Sequence, residues 1–136
     1  MMEKTLAIIK PDGVRSHVTG KIIDLIEQNG FSIVGMKKTQ LSKQDAQAFY
    51  AVHKDRPFYN ELVSFMTSGP VVVMALEKEN AIAAWRTLMG ATNPENAAPG
   101  TIRKLFGKST GENVAHGSDA PQTALEEVAF FFPKLG

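Results

Sequence analysis

Two uninterrupted apolar runs, residues 5–9 and 71–76, constrain the fold more than any other feature of the sequence. Turn-forming residues bound both runs, since Ser68-Gly69-Pro70 precedes the second and Lys10-Pro11-Asp12-Gly13 follows the first. Short apolar runs closed by proline and glycine are typical of strands buried inside a sheet. We therefore predict two buried strands, with Lys10 at the end of the first and a turn directly after it.

Apolar residues recur at helical spacing between and beyond these strands. The segment 31–41 alternates as a strand does, and the chain returns in a further strand through Val114 to His116. Capping residues open four of the helical segments, the first of them Thr19. The predicted helices are residues 19–29, residues 42–50 with the capping-box pair Ser42 and Asp45, residues 58–66, residues 80–89, a short helix capped by Thr101, and a last helix opened by Asp119 and Gln122 with Leu125 and Val128 facing inward.

This order of elements predicts an α+β fold with a ferredoxin-like, four-stranded antiparallel sheet. Two β-α-β passages with well-separated strands fit such a sheet, covered by helices on one face. A chain of 136 residues supports one core rather than two, so we expect a single domain over residues 1–136. The segment 90–100 has no helical or strand pattern, and a loop of that length in a small domain is usually functional or disordered.

Composition excludes several classes of function. The net charge is +1, from 15 basic and 14 acidic residues, which gives no broad field for nucleic-acid binding. The sequence has no cysteine, so disulfides, thiolate metal sites and cysteine nucleophiles are excluded. No apolar run approaches the ~20 residues that cross a bilayer, and no signal-peptide pattern opens the chain. We expect a cytoplasmic protein without membrane attachment.

His116 is the most promising chemical group, because it lies among glycine and small polar residues where a predicted strand gives way to a helix. A neutral imidazole acts as a nucleophile, a base or a metal ligand, and the residues alone leave these roles open. Other cationic and polar side chains fall at predicted element ends or helix flanks: Lys10, Arg86, Thr92, Arg103 and Asn113. Phosphoryl transfer needs such fixed cations and hydroxyls, usually with Mg²⁺, because its transition-state charge is spread over oxygens.

Six motifs resemble those of the nucleoside diphosphate kinase family in order and spacing, over nearly the whole chain from Glu3 to Phe132. They are Ile9-Lys10-Pro11-Asp12-Gly13-Val14, Arg56-Pro57-Phe58, Ser68-Gly69-Pro70-Val71, Gly90-Ala91-Thr92-Asn93-Pro94, Pro99-Gly100-Thr101-Ile102-Arg103 and Asn113-Val114-Ala115-His116-Gly117-Ser118-Asp119. The resemblance implies reversible ping-pong transfer of the terminal phosphate of a nucleoside triphosphate, usually ATP, to a nucleoside diphosphate through a phosphohistidine. It also implies broad base specificity, Mg²⁺ carried by the nucleotide rather than by protein side chains, and a homo-oligomer.

The resemblance also implies roles for the residues of this chain that match the family's motifs by position. The resemblance makes His116 the nucleophile through Nδ1, and Glu127 is similar to the carboxylate that holds the other ring nitrogen. Tyr50 corresponds to a residue that positions the histidine, and Phe58 to the aromatic ring on which the base stacks. The phosphates and the sugar are expected to meet the remaining matched residues, which are Lys10, Arg86, Thr92, Arg103, Asn113 and His53.

The chain departs from the family pattern at Lys104-Leu105, where many relatives have Gly-Asp or Ala-Asp, and at Thr110, where many have an apolar residue opposite the base. Two other functions compete with the kinase. A phosphocarrier would use an exposed histidine without a base platform or arginine clamp. A ferredoxin-like RNA-binding module would present aromatic residues on its central strands, where this chain has Ile8, Val72 and Met74.

Overall fold

The two apolar runs form the centre of the sheet. In a computed structural model that describes residues 2–135, strand β1 (Met2–Ile9) pairs antiparallel with strand β3 (Val71–Glu79). Strand β2 (Ser32–Thr39) pairs with the other edge of β3, and the short strand β4 (Ala115–Gly117) pairs with β1. The strand order is β2-β3-β1-β4 with every pair antiparallel, which confirms the predicted ferredoxin-like sheet.

Helices connect the strands and close the chain. None of the helices within residues 2–135 is long and apolar enough to cross a membrane. Their bounds are α1 (Pro11–Arg15), α2 (Thr19–Gln28), α3 (Lys43–Phe49), α4 (Tyr59–Met66), α5 (Ala81–Met89), α6 (Ile102–Phe106) and α7 (Pro121–Phe131), with 3₁₀ turns at Ala51–His53 and Pro94–Asn96.

Helices cover both faces of the sheet, so the prediction of a single covered face was wrong. Ala7 and Ile9 pack with α2 and α5 on one side of the sheet, where Trp85 is fully buried. Leu6 and Ile8 pack with α3, α4 and α7 on the other side. Because each face is buried, the central strands read as continuous apolar runs instead of alternating, which was the available sign of a two-sided core.

Helix starts follow the predicted capping in part, since the N-cap of α2 is Val18 without a side-chain hydrogen bond, rather than Thr19. Ser42 Oγ accepts a hydrogen bond from the Asp45 amide at 3.0 Å, and Thr101 caps α6, as predicted. The expected turn after Lys10 is instead the short helix α1, which begins because Pro11 is well suited to the first helical position.

The start of α7 was placed one residue early. Its N-cap is Ala120 rather than Asp119, because Pro121 takes the first helical position. Thr123 Oγ1 accepts from the Ala120 amide at 3.0 Å, in the role expected of Gln122. Val128 is buried as predicted, but Leu125 is 60% exposed and lies on the outer side of the helix.

Candidate active site

His116 lies in the middle of β4, opposite Ile8 of β1. The indole of Trp85 donates to the His116 carbonyl oxygen at 3.0 Å, which fixes the backbone of the strand from the helix α5 side. The side chain of His116 is 19% exposed. The sheet therefore holds the backbone of this residue firmly while the imidazole stays accessible.

Glu127 of α7 holds one ring nitrogen of His116, with 2.9 Å between Nε2 and Oε1. Ser118 Oγ donates to the same carboxylate oxygen at 2.8 Å and accepts from the Leu6 amide at 3.2 Å. A carboxylate accepts only, so Nε2 carries the proton and Nδ1 keeps its lone pair. The sequence analysis missed Ser118, although its two-residue spacing from His116 puts both side chains on one face of a strand.

Two aromatic rings pack beside the imidazole. The ring centroid of Phe49 lies 5.6 Å from that of His116, and the ring centroid of Tyr50 lies 6.4 Å from it, both nearly edge-on. Burial and the charge of Glu127 raise the pKa of Tyr50, so the hydroxyl stays protonated. The structure brings Tyr50 to His116, and it adds Phe49, for which the sequence analysis gave no role.

The chain just before β4 is a tight turn rather than the predicted strand. Val114 has φ 76°, and the Ala115 amide donates to the Asn113 carbonyl at 2.9 Å, which makes a γ-turn centred on Val114. This conformation is strained for a β-branched residue. Two residues at the start of α1 hold this γ-turn. The Lys10 amide donates to the Val114 carbonyl at 2.7 Å, and Asp12 Oδ2 accepts from the Val114 amide at 3.1 Å.

Three predicted residues are joined by side-chain hydrogen bonds. Lys10 Nζ donates to Asn113 Oδ1 at 2.9 Å, and Asn113 Nδ2 donates to the Thr92 carbonyl at 3.1 Å. Burial and the charge of Arg103 lower the pKa of Lys10 to about 8, while the charge of Asp12 acts in the opposite direction. The amine is therefore a cation whose charge is sensitive to mildly basic pH.

Arg103 of α6 ties together the loops around the site. Its Nε donates to the Asn113 carbonyl at 3.3 Å, its Nη1 to the Gly90 carbonyl at 3.0 Å, and its Nη2 to the Ala115 carbonyl at 2.8 Å. The residue is buried, and burial with the nearby charge of Arg86 lowers the pKa of Arg103. Three of the five guanidinium N–H groups donate to these carbonyls, so Arg103 stabilises the loops around the site and also supplies a positive charge.

Arg86 lies on α5 with its guanidinium half exposed, and Nη1 forms an ion pair with Asp119 Oδ1 at 2.8 Å. A cavity of about 360 Å³ is lined by Arg86, Thr92 and Arg103 together with Gly90, Ala91 and Ala98 of the segment 90–100. The three residues predicted as a phosphate clamp therefore share one cavity. The long segment 90–100, which had no pattern, forms one wall of it.

A second cavity of about 550 Å³ lies between Phe58 and the loop 109–112, with Lys10 also in its lining. Phe58 is 47% exposed, and Thr110 belongs to the opposite wall. The ring centroid of His53 lies 5.7 Å from that of Phe58, so His53 stands beside the aromatic platform.

The departure at Lys104-Leu105 lies on the exposed side of α6. Lys104 Nζ points to the Glu95 carbonyl at 3.4 Å, and the Leu105 side chain is exposed. Thr110 is therefore the departure that bears on a cavity of the site.

Comparisons with known proteins agree with this arrangement. The family model "Nucleoside diphosphate kinase" matches residues 3–135. The nucleoside diphosphate kinase of Geotalea uraniireducens is 63% identical over 98% of each chain, and that of Trichlorobacter lovleyi is 64% identical over 96% of this chain and 95% of the relative. A crystal structure of the Aquifex aeolicus nucleoside diphosphate kinase superposes with a TM-score of 0.97 at 44% identity, covering 99% of this chain and 98% of that one. The Halobacterium salinarum nucleoside diphosphate kinase, solved in complex with CDP, superposes with a TM-score of 0.92 at 42% identity, covering 97% of this chain and 88% of that one.

Proposed function

Since the chain belongs to the nucleoside diphosphate kinase family, its reaction is the transfer of the terminal phosphate of a nucleoside triphosphate to a nucleoside diphosphate, and we propose that His116 carries that phosphate. The observation that supports this role is the Nε2 contact of 2.9 Å to Glu127, which leaves Nδ1 of an accessible imidazole with a free lone pair. A base held by a carboxylate in this way is a suitable nucleophile.

The proposed transfer has two halves. In the first, the lone pair of His116 Nδ1 forms a bond to the γ-phosphorus while the bond from phosphorus to the β–γ bridging oxygen breaks, and the diphosphate leaves. Glu127 keeps the proton on Nε2 and balances the positive charge that develops on the ring. In the second half, a terminal oxygen of another nucleoside diphosphate attacks the same phosphorus and the N–P bond breaks, which restores neutral His116.

The transferring phosphate is negatively charged throughout, so its binding depends on the cations around the smaller cavity. We assign Arg86, Thr92 and Arg103 to the phosphates, because they line one cavity. Lys10 and Asn113 are assigned to the phosphates and the sugar hydroxyls, since their hydrogen-bonded pair connects that cavity to the one beside Phe58. His53 is assigned to the margin of the nucleotide site through its contact with Phe58.

Mg²⁺ is proposed to arrive with the nucleotide. Within residues 2–135, no three histidine, aspartate or glutamate side chains cluster as a metal site, and the cavity of Arg86 and Arg103 is rich in cations. Phosphate oxygens of the nucleotide would therefore hold the ion, which would neutralise part of the phosphate charge. Arg86 and Arg103 supply the positive charge that the protein itself contributes.

Base binding is assigned to the cavity beside Phe58. An aromatic face stacks with any base, and hydroxyl groups such as that of Thr110 on the opposite wall add little selection for one base edge. We therefore expect purine and pyrimidine nucleotides to be accepted alike. The relative from Halobacterium salinarum was solved with the pyrimidine nucleotide CDP, which agrees with this expectation.

A coupled assay tests the proposed function. ATP and Mg²⁺ are supplied with GDP, CDP, UDP or dTDP in turn, and formation of each triphosphate is followed. We expect turnover with all four acceptors at comparable rates. Turnover with only one of them contradicts the assignment of a base site without hydrogen-bond readout.

The ionisation of Lys10 predicts a pH dependence of nucleotide affinity. Because the pKa of Lys10 is lowered to about 8, the amine is charged at pH 7 and largely neutral at pH 9. Affinity for ADP is therefore expected to weaken as the pH rises through about 8, by up to about thirtyfold at pH 9.5, the limit that loss of one proton allows. Calorimetric titration between pH 7 and 9.5 measures this change, and Lys10→Gln is expected to bind weakly with no such midpoint.

We expect Phe58 to contribute to the free energy of ADP binding by stacking on the base. Phe58→Ala is expected to weaken ADP binding by about tenfold to a hundredfold, the usual contribution of one stacked base. Phe58→Trp keeps the platform and serves as the matched control. An unchanged dissociation constant in the alanine variant would place the base elsewhere.

We also propose a homo-oligomer in the cytoplasm. The outer edge of the sheet is β2, where Val34 and Met36 are exposed, and an uncovered apolar edge strand favours pairing with another copy. The absence of cysteine fits a reducing compartment.

A further inference from the structure

We propose that Asp12 is a positioning residue for this reaction, because its carboxylate holds the backbone of Val114 in the left-handed conformation from which His116 is presented. The inference rests on the proposed role of His116 as phosphate carrier. Asp12 has no other part in the mechanism above, although it is a buried acid close to the site.

The carboxylate of Asp12 is directed at the backbone amide of Val114. Oδ2 accepts from the Val114 amide at 3.1 Å, across 102 residues of sequence, and Oδ1 is buried without a hydrogen-bond partner within residues 2–135. Burial raises the pKa of Asp12, against the opposing effects of the Val114 hydrogen bond, the Lys10 charge and the amides of Asp12 and Gly13 at the start of α1. A buried carboxylate costs free energy, and this one lies beside a strained turn whose backbone amide donates to it.

The γ-turn at Val114 is not favoured by the intrinsic backbone preference of valine. A β-branched residue at φ 76° is a backbone outlier, and an unrestrained valine prefers the extended conformation. Residues just after β1 restrain both backbone polar groups of Val114. The Lys10 amide donates to the Val114 carbonyl oxygen, and the Asp12 carboxylate accepts from the Val114 amide. Gly13 leaves room for the Val114 side chain, because a Cβ at Gly13 would lie 3.0 Å from Val114 Cγ1.

The turn lies between two residues of the site. Asn113, whose side chain accepts from Lys10 Nζ, precedes Val114, and His116 follows two residues later. Relaxation of Val114 to extended backbone would redirect both neighbours together. Small displacements of a reacting group cost large factors in rate, so the restraint on Val114 bears directly on phosphate transfer.

Two substitutions of similar size separate the acceptor oxygen from the charge. Asp12→Asn keeps an oxygen that accepts from the Val114 amide and loses the charge, whereas Asp12→Leu loses both. The measurements are the single-turnover rate of His116 phosphorylation by γ-labelled ATP and the dissociation constant for ADP, both at about pH 6.5, where Lys10 is charged even without the Asp12 carboxylate that raises its pKa. We expect Asp12→Leu to phosphorylate about tenfold to a hundredfold more slowly, as for release of one strained backbone residue. We expect the ADP affinity of Asp12→Leu to change by less than about threefold, because the restraint on Val114 acts on the chemical step rather than on nucleotide binding.

Asp12→Asn is expected to stay within about threefold of the wild-type rate, since the hydrogen bond to Val114 is retained. If Asp12→Leu fails to fold, Asp12→Ala makes the same comparison without added apolar bulk. Equal losses in the asparagine and apolar variants overturn the proposal, because the charge rather than the restraint on Val114 would then be responsible.

A double-mutant cycle tests the restraint itself. Glycine adopts φ near 76° without strain, so Val114→Gly removes the need for a restraint. In the Val114→Gly background, loss of the Asp12 carboxylate is expected to change the phosphorylation rate by less than about threefold. A loss as large as in the wild-type background would show that Asp12 acts only by packing, and would overturn the proposal.

The same experiment separates this inference from the function on which it rests. Absence of label on His116 in the wild-type protein contradicts the proposed function. Labelling of wild-type protein and of Asp12→Leu at the same rate contradicts the role of Asp12 alone.

Discussion

His116→Ala is expected to abolish phosphate transfer, with a loss on the order of 10⁴-fold or more in turnover, the usual effect of removing a covalent nucleophile. The reason is that the arginines and the base platform only bind the nucleotides, while the N–P bond forms on the imidazole. Incubation with γ-labelled ATP and Mg²⁺, followed by removal of nucleotide, measures the acid-labile label that remains on the protein. The variant is expected to retain none.

Glu127→Gln is the matched control for this prediction. The glutamine amide can turn its oxygen to the His116 Nε2 proton and keep the geometry, but it supplies no negative charge. We expect this variant to take up label more slowly and to the same final extent. Survival of label in His116→Ala would place the carrier on another residue and overturn the mechanism.

Arg103→Met is expected to have the largest effect on stability. The change removes three hydrogen bonds from a buried guanidinium and leaves the carbonyls of Gly90, Asn113 and Ala115 without those donors. Loss of such a buried charged donor costs about 3–5 kcal/mol in free energy of unfolding. Urea denaturation measures this value, and thermal unfolding is expected about 10–20 °C lower for a domain of this size.

Arg103→Lys distinguishes the geometry of the group from its charge. One ammonium cannot reach three carbonyls that a planar guanidinium spans, so the lysine variant is expected to recover only part of the stability. Near-complete recovery would show that positive charge alone holds the loops. Nucleotide binding is expected to be weakened in both variants, because the walls of the phosphate cavity depend on these bonds.

The sequence predicted the sheet because its central strands are marked by composition and by the turns that close them. The continuous apolar runs also indicated a sheet covered on both faces, but the order of elements was matched to a plan with helices on one face, which was wrong. The helix starts at Pro11 and Pro121 were missed because proline signals both a turn and a first helical residue.

The candidate site was predictable where chemistry depends on residue type and less so where it depends on conformation. His116, Lys10 and Arg103 belong to motifs, so the resemblance assigned roles to them before any contact was known, and those roles stay predictions. The γ-turn at Val114 was not predictable, because nothing in a valine indicates positive φ and the restraint comes from Asp12, far away in sequence. Ser118 was available from its alternation with His116, but its tie to Glu127 needed the position of α7.

The helices that cover both faces of the sheet also limit how this protein can diversify. A sheet with one open face can acquire stacking rings there and recruit single-stranded RNA, as other proteins of this plan do. Here that route is closed, because any residue exchanged at positions 5–9 of β1 or 71–76 of β3 meets the packed core. New ligand preferences can therefore arise only at the rim, in exposed loops such as the one that carries Thr110, where substitutions leave the core unaltered.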